Sequence, residues 1–221
     1  MVQLLQLMQL SDGTLPIGAT AHSFGLESLV EWEMVHPAGL EAFLDSYLQE
    51  QAPVDCCYLR AAFAAGKKRE KTASLGSRLD ALRQARESRA ASIALGQRLL
   101  MLANGVLPVG LGAILEDAFA GESTHHLLVF GYVAALLQFD EDTTVAAFLQ
   151  QAVASIISTA QRLMPVGQRQ ATSLQWSLKA TIVSVMEASR GRDYMLAGAF
   201  MPVLDIGSMR HPRLETRLFL S

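Results

Sequence analysis

Two cysteines are all that the 221 residues contain, and they are neighbours, Cys56 and Cys57. Adjacent cysteines cannot readily reach the Cα separation and dihedral of an ordinary bridge, so no disulfide framework is predicted. Low cysteine use fits a reducing compartment, and the N-terminus shows no basic region ahead of an apolar run and a cleavage site. Both point to the cytoplasm. A basic field is missing as well: 18 Lys and Arg face 21 Asp and Glu, a formal net charge of -3, which excludes the electrostatic footprint of a nucleic-acid binder. The longest charge-free and strongly apolar stretch, Leu127 to Phe139, is shorter than the roughly 20 residues that a membrane-spanning helix needs. Strict apolar and polar alternation is absent over any length that would argue a sheet, and there is no fixed-period repeat or low-complexity tract.

Catalytic signatures are lacking too. The glycine segment GVLPVGLG has Leu111 and Gly112 where a phosphate-cradling loop needs Lys followed by Ser or Thr, so no nucleotide hydrolysis is expected by that route. Ser23 precedes Gly25 but lacks the glycine on the other side of a nucleophile elbow. The five histidines, at 22, 36, 125, 126 and 211, have no neighbours in sequence that complete a metal cage. His125 and His126 diverge on a helix, and the cysteine pair reads either as core packing or as a site for a thiophilic metal such as copper or nickel. The run Asp140-Glu141-Asp142 before Thr143 reads as helix-start chemistry rather than a magnesium site, because no second acidic cluster accompanies it.

What remains is helical and apolar. The composition is 51% hydrophobic and 18% charged with a mean hydropathy of +0.26, which predicts either an unusually large interior or apolar surface shared with other subunits. Apolar spacings of three and four recur in Val2 to Leu10, in Leu40 to Leu48, from Leu75 to Leu102, from Val145 to Leu163 and from Leu174 to Val185. Pro53 is expected to close the helix before it, and Gly66 to stop the one from Val54. Lys67 to Lys71 reads as a solvated helix end or, alternatively, as a contact for an acidic partner. Gly121 to Thr124 offers caps for HHLLVFGYVAALLQF, which is uncharged all round and is therefore expected at the centre of the core. The reading is all-α: a single domain, residues 1–221, built as a bundle of roughly eight to ten helices.

Four blocks stand out against this background. Leu10 to Glu27, LSDGTLPIGATAHSFGLE, combines turn-forming Asp12-Gly13, Pro16, Gly18 and Gly25 with burial candidates Leu15, Ile17 and Phe24. ARESRAASIALGQRLL follows in mid-chain. Arg162 to Gln168, RLMPVGQ, exposes an Arg and a Gln where a helix ends at Pro165 and Gly167. The last block is PVLDIGSMRHPRLETRLFLS. In this order they resemble the motifs of the UreF-type urease accessory proteins. Gly13 stands where Ser is usual, Ala19 and Thr20 where Gly and an aromatic residue are usual, and Pro212 where an acidic residue is usual.

The resemblance implies an all-α homodimer that is not itself an enzyme. Such a protein bridges UreD (also called UreH) and the GTPase UreG, regulates GTP hydrolysis and takes part in nickel delivery to apo-urease. Nickel is handled by the complex, with no cofactor held tightly by this chain. Ser23, Glu27, Arg162 and Gln168 are then expected to lie on, or to support, the surface that meets UreG, unless Glu27 and Arg162 pair internally and only brace the fold. The tail from 207 to 221 becomes the UreD-facing part, with Arg210, His211, Arg217, Leu218 and Phe219 as its contacts. That tail, with Gly207, Pro212 and its arginines, is expected to be weakly helical alone and to order on binding. The competing reading is a small all-α metal carrier or enzyme that uses Cys56, Cys57 and the histidines.

Overall fold

The computed structural model describes residues 1–108, 110–198 and 201–221. Twelve α-helices follow one another among them: α1 (Val2–Leu10), α2 (Leu26–Glu31), α3 (Leu40–Glu50), α4 (Ala52–Lys68), α5 (Ala73–Leu82), α6 (Arg86–Val106), α7 (Leu111–Phe119), α8 (His126–Leu136), α9 (Glu141–Leu163), α10 (Gln168–Ser177), α11 (Lys179–Ala188) and α12 (Pro202–Arg210). No strand occurs among the described residues. The all-α reading holds, with more helices than expected because two of the long ones are broken. The Leu75–Leu102 helix parts at Arg83, where Arg89 Nη1 donates to the carbonyls of Asp80 (3.3 Å) and Arg83 (3.0 Å) at the end of α5. Such carbonyls otherwise lack partners at a helix C-terminus. The Leu174–Val185 helix bends at Leu178, which keeps near-helical dihedrals.

α8 is the axis. Every residue from Leu127 to Leu136 is buried, as its charge-free sequence predicts, and α4 crosses it with the two backbones in contact. Two glycines permit this approach: a Cβ on Gly131 would stand 2.6 Å from the Leu59 carbonyl oxygen, and one on Gly66 would stand 2.9 Å from that of Tyr132. Gly66 is thus a crossing point rather than a stop, and α4 runs on to Lys68, where Arg69 turns left-handed at φ 58°. Likewise Pro53 opens α4 instead of closing α3.

α9 lies along this core. Asp140 caps it as its sequence predicts, accepting from Thr143 N at 2.8 Å and Thr143 Oγ1 at 2.6 Å, and these bonds lower the Asp140 carboxyl. Glu141 and Asp142 take the Arg60 guanidinium of α4 at 2.9 and 2.6 Å, so the acidic run ties helices together. The caps expected for α8 serve elsewhere. Ser123 Oγ donates to Asp80 and Thr124 Oγ1 to the Ile93 carbonyl, and His125, at the N-cap, makes no capping bond to the first turn of α8.

Candidate partner interface

The first block opens with an Asx turn, Asp12 Oδ1 accepting from Thr14 N at 2.7 Å and Thr14 Oγ1 at 2.8 Å. Ile17 is wholly buried, and Arg98 of α6 donates to its carbonyl at 3.0 Å. After the single 3-10 turn Ala19–Ala21, Phe24 and Gly25 both adopt positive φ, 50° and 91°, and so aim α2 back across the molecule. Gly25 is required twice over, since a Cβ there would also lie 2.7 Å from the Leu204 carbonyl of α12. α12 is held in this groove by Ser28 Oγ donating to the Gly207 carbonyl (2.7 Å) and by Ser88 Oγ of α6 bonded to Ser208 Oγ (2.7 Å).

Beyond α12 the chain makes one more 3-10 turn, His211–Arg213, and then runs extended along the same loop. The buried Glu27 carboxylate organises it. His211 Nε2 donates to Oε2 at 2.6 Å, Leu218 N to Oε1 at 2.6 Å and Phe219 N to Oε2 at 3.3 Å. Leu220 N donates to the Ala21 carbonyl at 2.8 Å, and the Ser221 carbonyl accepts from Ser23 N and Phe24 N. His22 Nδ1 and Ser221 Oγ share a bond of 2.7 Å. Arg162, at the end of α9, closes the arrangement: its guanidinium lies 4.2 Å over the Phe219 ring and donates to the Thr20 carbonyl at 2.8 Å. The tail is therefore docked on its own chain, where the sequence suggested a segment weakly helical alone that orders on binding. A carboxylate takes backbone amides that would otherwise be left dry, while a cation covers the one aromatic ring.

Three of the four residues expected near UreG meet here, although Glu27 and Arg162 do not pair. Each grips the tail by a different contact. Ser23 is buried, its Oγ without a partner among the described residues, and Arg162 is at the exposed edge. Gln168 lies apart, at the start of α10, in a shallow hollow with Arg169, Thr172, Ser173 and Trp176. The tail residues divide likewise: His211 and Phe219 face inward, while Arg210, Arg217 and Leu218 face outward. Residues that the sequence assigned to neither surface, Thr20, His22, Ser28, Ser88 and Ser208, complete the contact. Their partners stand too far along the chain for any spacing to signal them.

Beneath this face a cavity of about 190 Å³ lies among α3, α4, α6, α9 and α12. Asp55 borders it, bonded to Arg83 Nη2 and Gln51 Nε2 at 3.2 Å each; burial pushes its carboxyl up, against the pull of Arg83. Among the described residues the side-chain atoms Ser23 Oγ, Arg83 Nε, His126 Nε2 and Gln151 Oε1 have no protein partner. Desolvation lowers His125 and His126 to about 4, so both rings are neutral. His125 is tied to Asp80 (3.0 Å) and Ser92 (3.1 Å). Burial pushes the Cys56 thiol up to about 12 and raises Cys57. Among the described residues no three His, Cys, Asp or Glu side chains gather as a metal site.

Comparison with known proteins adds to this geometry. The UreF family model matches residues 34–179. Over 230 residues the chain is 33% identical to the urease accessory protein UreF of Actinobacillus pleuropneumoniae serotype 5b (strain L20), with all of both chains covered. It is 32% identical over 227 residues to the protein of the same name from Haemophilus influenzae (strain PittGG), covering 97% of this chain and 94% of that one. To the one from Kocuria rhizophila it is 31% identical over 230 residues, covering 99% and 97%.

Proposed function

The chain belongs to the UreF family of urease accessory proteins, which are not themselves enzymes, and on that premise we propose that it is a scaffold of urease maturation. In this reading it acts as a cytoplasmic homodimer that bridges UreD and the GTPase UreG, and it regulates GTP hydrolysis while the complex delivers nickel to apo-urease. One observation carries the proposal: the tail is bolted by Glu27, His211 and Arg162 onto the first block, so both ends of the chain form a single presented surface. Arg162 and Gln168 offer the exposed polar contacts to UreG, and Ser23 and Glu27 support them from below. Arg210, Arg217 and Leu218 present a basic and apolar edge to UreD, anchored by the inward His211 and Phe219. Leu218 is 59% exposed and Leu220 70%, a large apolar share for an edge that met only water.

The test is size-exclusion chromatography with light scattering on this chain mixed with UreD and UreG. The wild type should gather both into one peak. Arg162→Glu should lose UreG, and Leu218→Glu combined with Arg217→Glu should lose UreD and keep UreG, with each variant folded by circular dichroism. These positions are exposed, so the double change leaves the buried anchors His211 and Phe219 in place. Binding of both partners by both variants would refute the surface assignment.

A further inference from the structure

The partner surface described above makes no use of the cavity of about 190 Å³ beneath it. The cavity's walls are mostly hydrocarbon, with Phe43, Leu79, Leu95, Leu127, Phe148 and Ile156 among them. Yet four polar atoms from four separate elements border it without a partner among the described residues: Ser23 Oγ of the first block, Arg83 Nε at the end of α5, His126 Nε2 at the start of α8 and Gln151 Oε1 of α9. Ser23 is 6% exposed and Gln151 8%, so bulk water does not serve them. Buried donors and acceptors are rarely left unpaired, and four around one space indicate that something polar fills it.

Water alone fits poorly. The volume is that of about six waters, each of which needs about two to four polar partners, and hydrocarbon walls supply too few. A dry apolar cavity of roughly 150 Å³ takes up benzene, so one small ring bearing a polar group suits this larger space. The charges decide which polar group. Arg83 and Asp55 already form a pair at 3.2 Å, burial keeps the His126 ring neutral, and burial pushes the Asp205 carboxyl up toward its neutral form. A charged guest would upset that balance. A neutral guest with both a carbonyl and an N–H satisfies it, because Arg83 Nε can only donate and Gln151 Oε1 can only accept. We propose that the cavity is a binding site for a small neutral aromatic amide, its ring against the hydrocarbon walls, its carbonyl taken by Arg83 and its N–H by Gln151. Phe24 and Ser23 of the first block and Leu204 and Asp205 of α12 form part of the wall, so an occupied site braces α12 against that block. The site stands independently of the partner assignments above.

Benzamide is the probe, titrated by calorimetry into the full chain beside benzene, the anion benzoate and the cation benzylammonium. It should bind saturably at one site and more tightly than the other three. Gln151→Leu, which removes the acceptor, should weaken benzamide about tenfold and leave benzene no weaker. Ala152→Leu builds into the same space from α9 and should abolish binding of benzamide, with both variants shown to be folded by their melting transitions. Hydrogen exchange at Gly207 and Ser208 of α12 should slow about tenfold when benzamide is present at about ten times its Kd. Absence of saturable benzamide binding to the wild type, tighter binding of benzene or of either ion, or binding that survives Ala152→Leu would overturn the proposal. Unchanged exchange at Gly207 and Ser208 in the saturated protein would overturn the placement beneath α12.

Discussion

Replacing Glu27 by Gln should release the tail without unfolding the core. The carboxylate accepts from three donors, His211 Nε2, Leu218 N and Phe219 N. A carboxamide of the same shape keeps one acceptor oxygen, and its NH2 group must turn toward donors that have nothing to offer it. Losing a charge-assisted partner and leaving a buried donor dry costs about 1 to 3 kcal/mol per group, so two such groups weaken docking by about 3 kcal/mol. That is about a hundredfold in the ratio of docked to released tail. The change stays local, because Phe219 is the one buried residue between 214 and 220 and the side-chain bonds of Glu27 all go to the tail. Hydrogen exchange read residue by residue is the assay. Protection at Leu218, Phe219 and Leu220 should fall about a hundredfold while that of α8 holds. Unchanged protection at Leu218 and Phe219 in Glu27→Gln would refute the role given to this carboxylate. Loss of protection in α8 at the same time would refute the separation of tail from core.

Acid should unfold the protein earlier than its carboxylates alone require. His125 and His126 are lowered from 6.5 to about 4 by burial, so between those values the unfolded chain binds more protons than the folded one. Their stabilisation is complete above pH 6.5 and is lost as pH falls toward 4, on the order of 3 kcal/mol per ring. Melting temperature followed from pH 7 to pH 4 should fall, less steeply in His126→Phe; an equal slope in that variant would contradict the burial argument. Gly131→Ala should destabilise by about 1 to 3 kcal/mol, because the added Cβ meets the Leu59 carbonyl at 2.6 Å and two packed helices must part. Gly13→Ser, by contrast, adds a side chain where nothing lies within 4 Å and should change stability by less than about 0.5 kcal/mol; calorimetric melting separates the two outcomes.

Local signals were enough for much of the architecture. A charge-free run with apolar residues on all sides has nowhere stable to lie but the interior, and α8 lies there. Asp140 before Thr143 is a cap because a short carboxylate reaches the amide three residues on, whatever surrounds it. The signs that failed were those a neighbour could overrule. Gly66 carries the usual mark of a helix end, but its missing side chain is used by Tyr132 across the α4 and α8 crossing. Arg83 and Leu178 carry no break signal; Arg89 takes the carbonyls at the end of α5, and Leu178 keeps near-helical dihedrals between α10 and α11.

The candidate site divides along the same line. Residue types and order alone yielded the four blocks, the missing phosphate loop, the family likeness and the polar residues Glu27, Arg162 and His211. They could not show that Glu27 and His211, 184 positions apart, share a hydrogen bond, nor that the tail is seated rather than free. A chain records periodicity, caps and turns because these depend on residues within a few positions of each other. Which carboxylate receives which distant amide depends on how the helices stack, and only the folded molecule decides it.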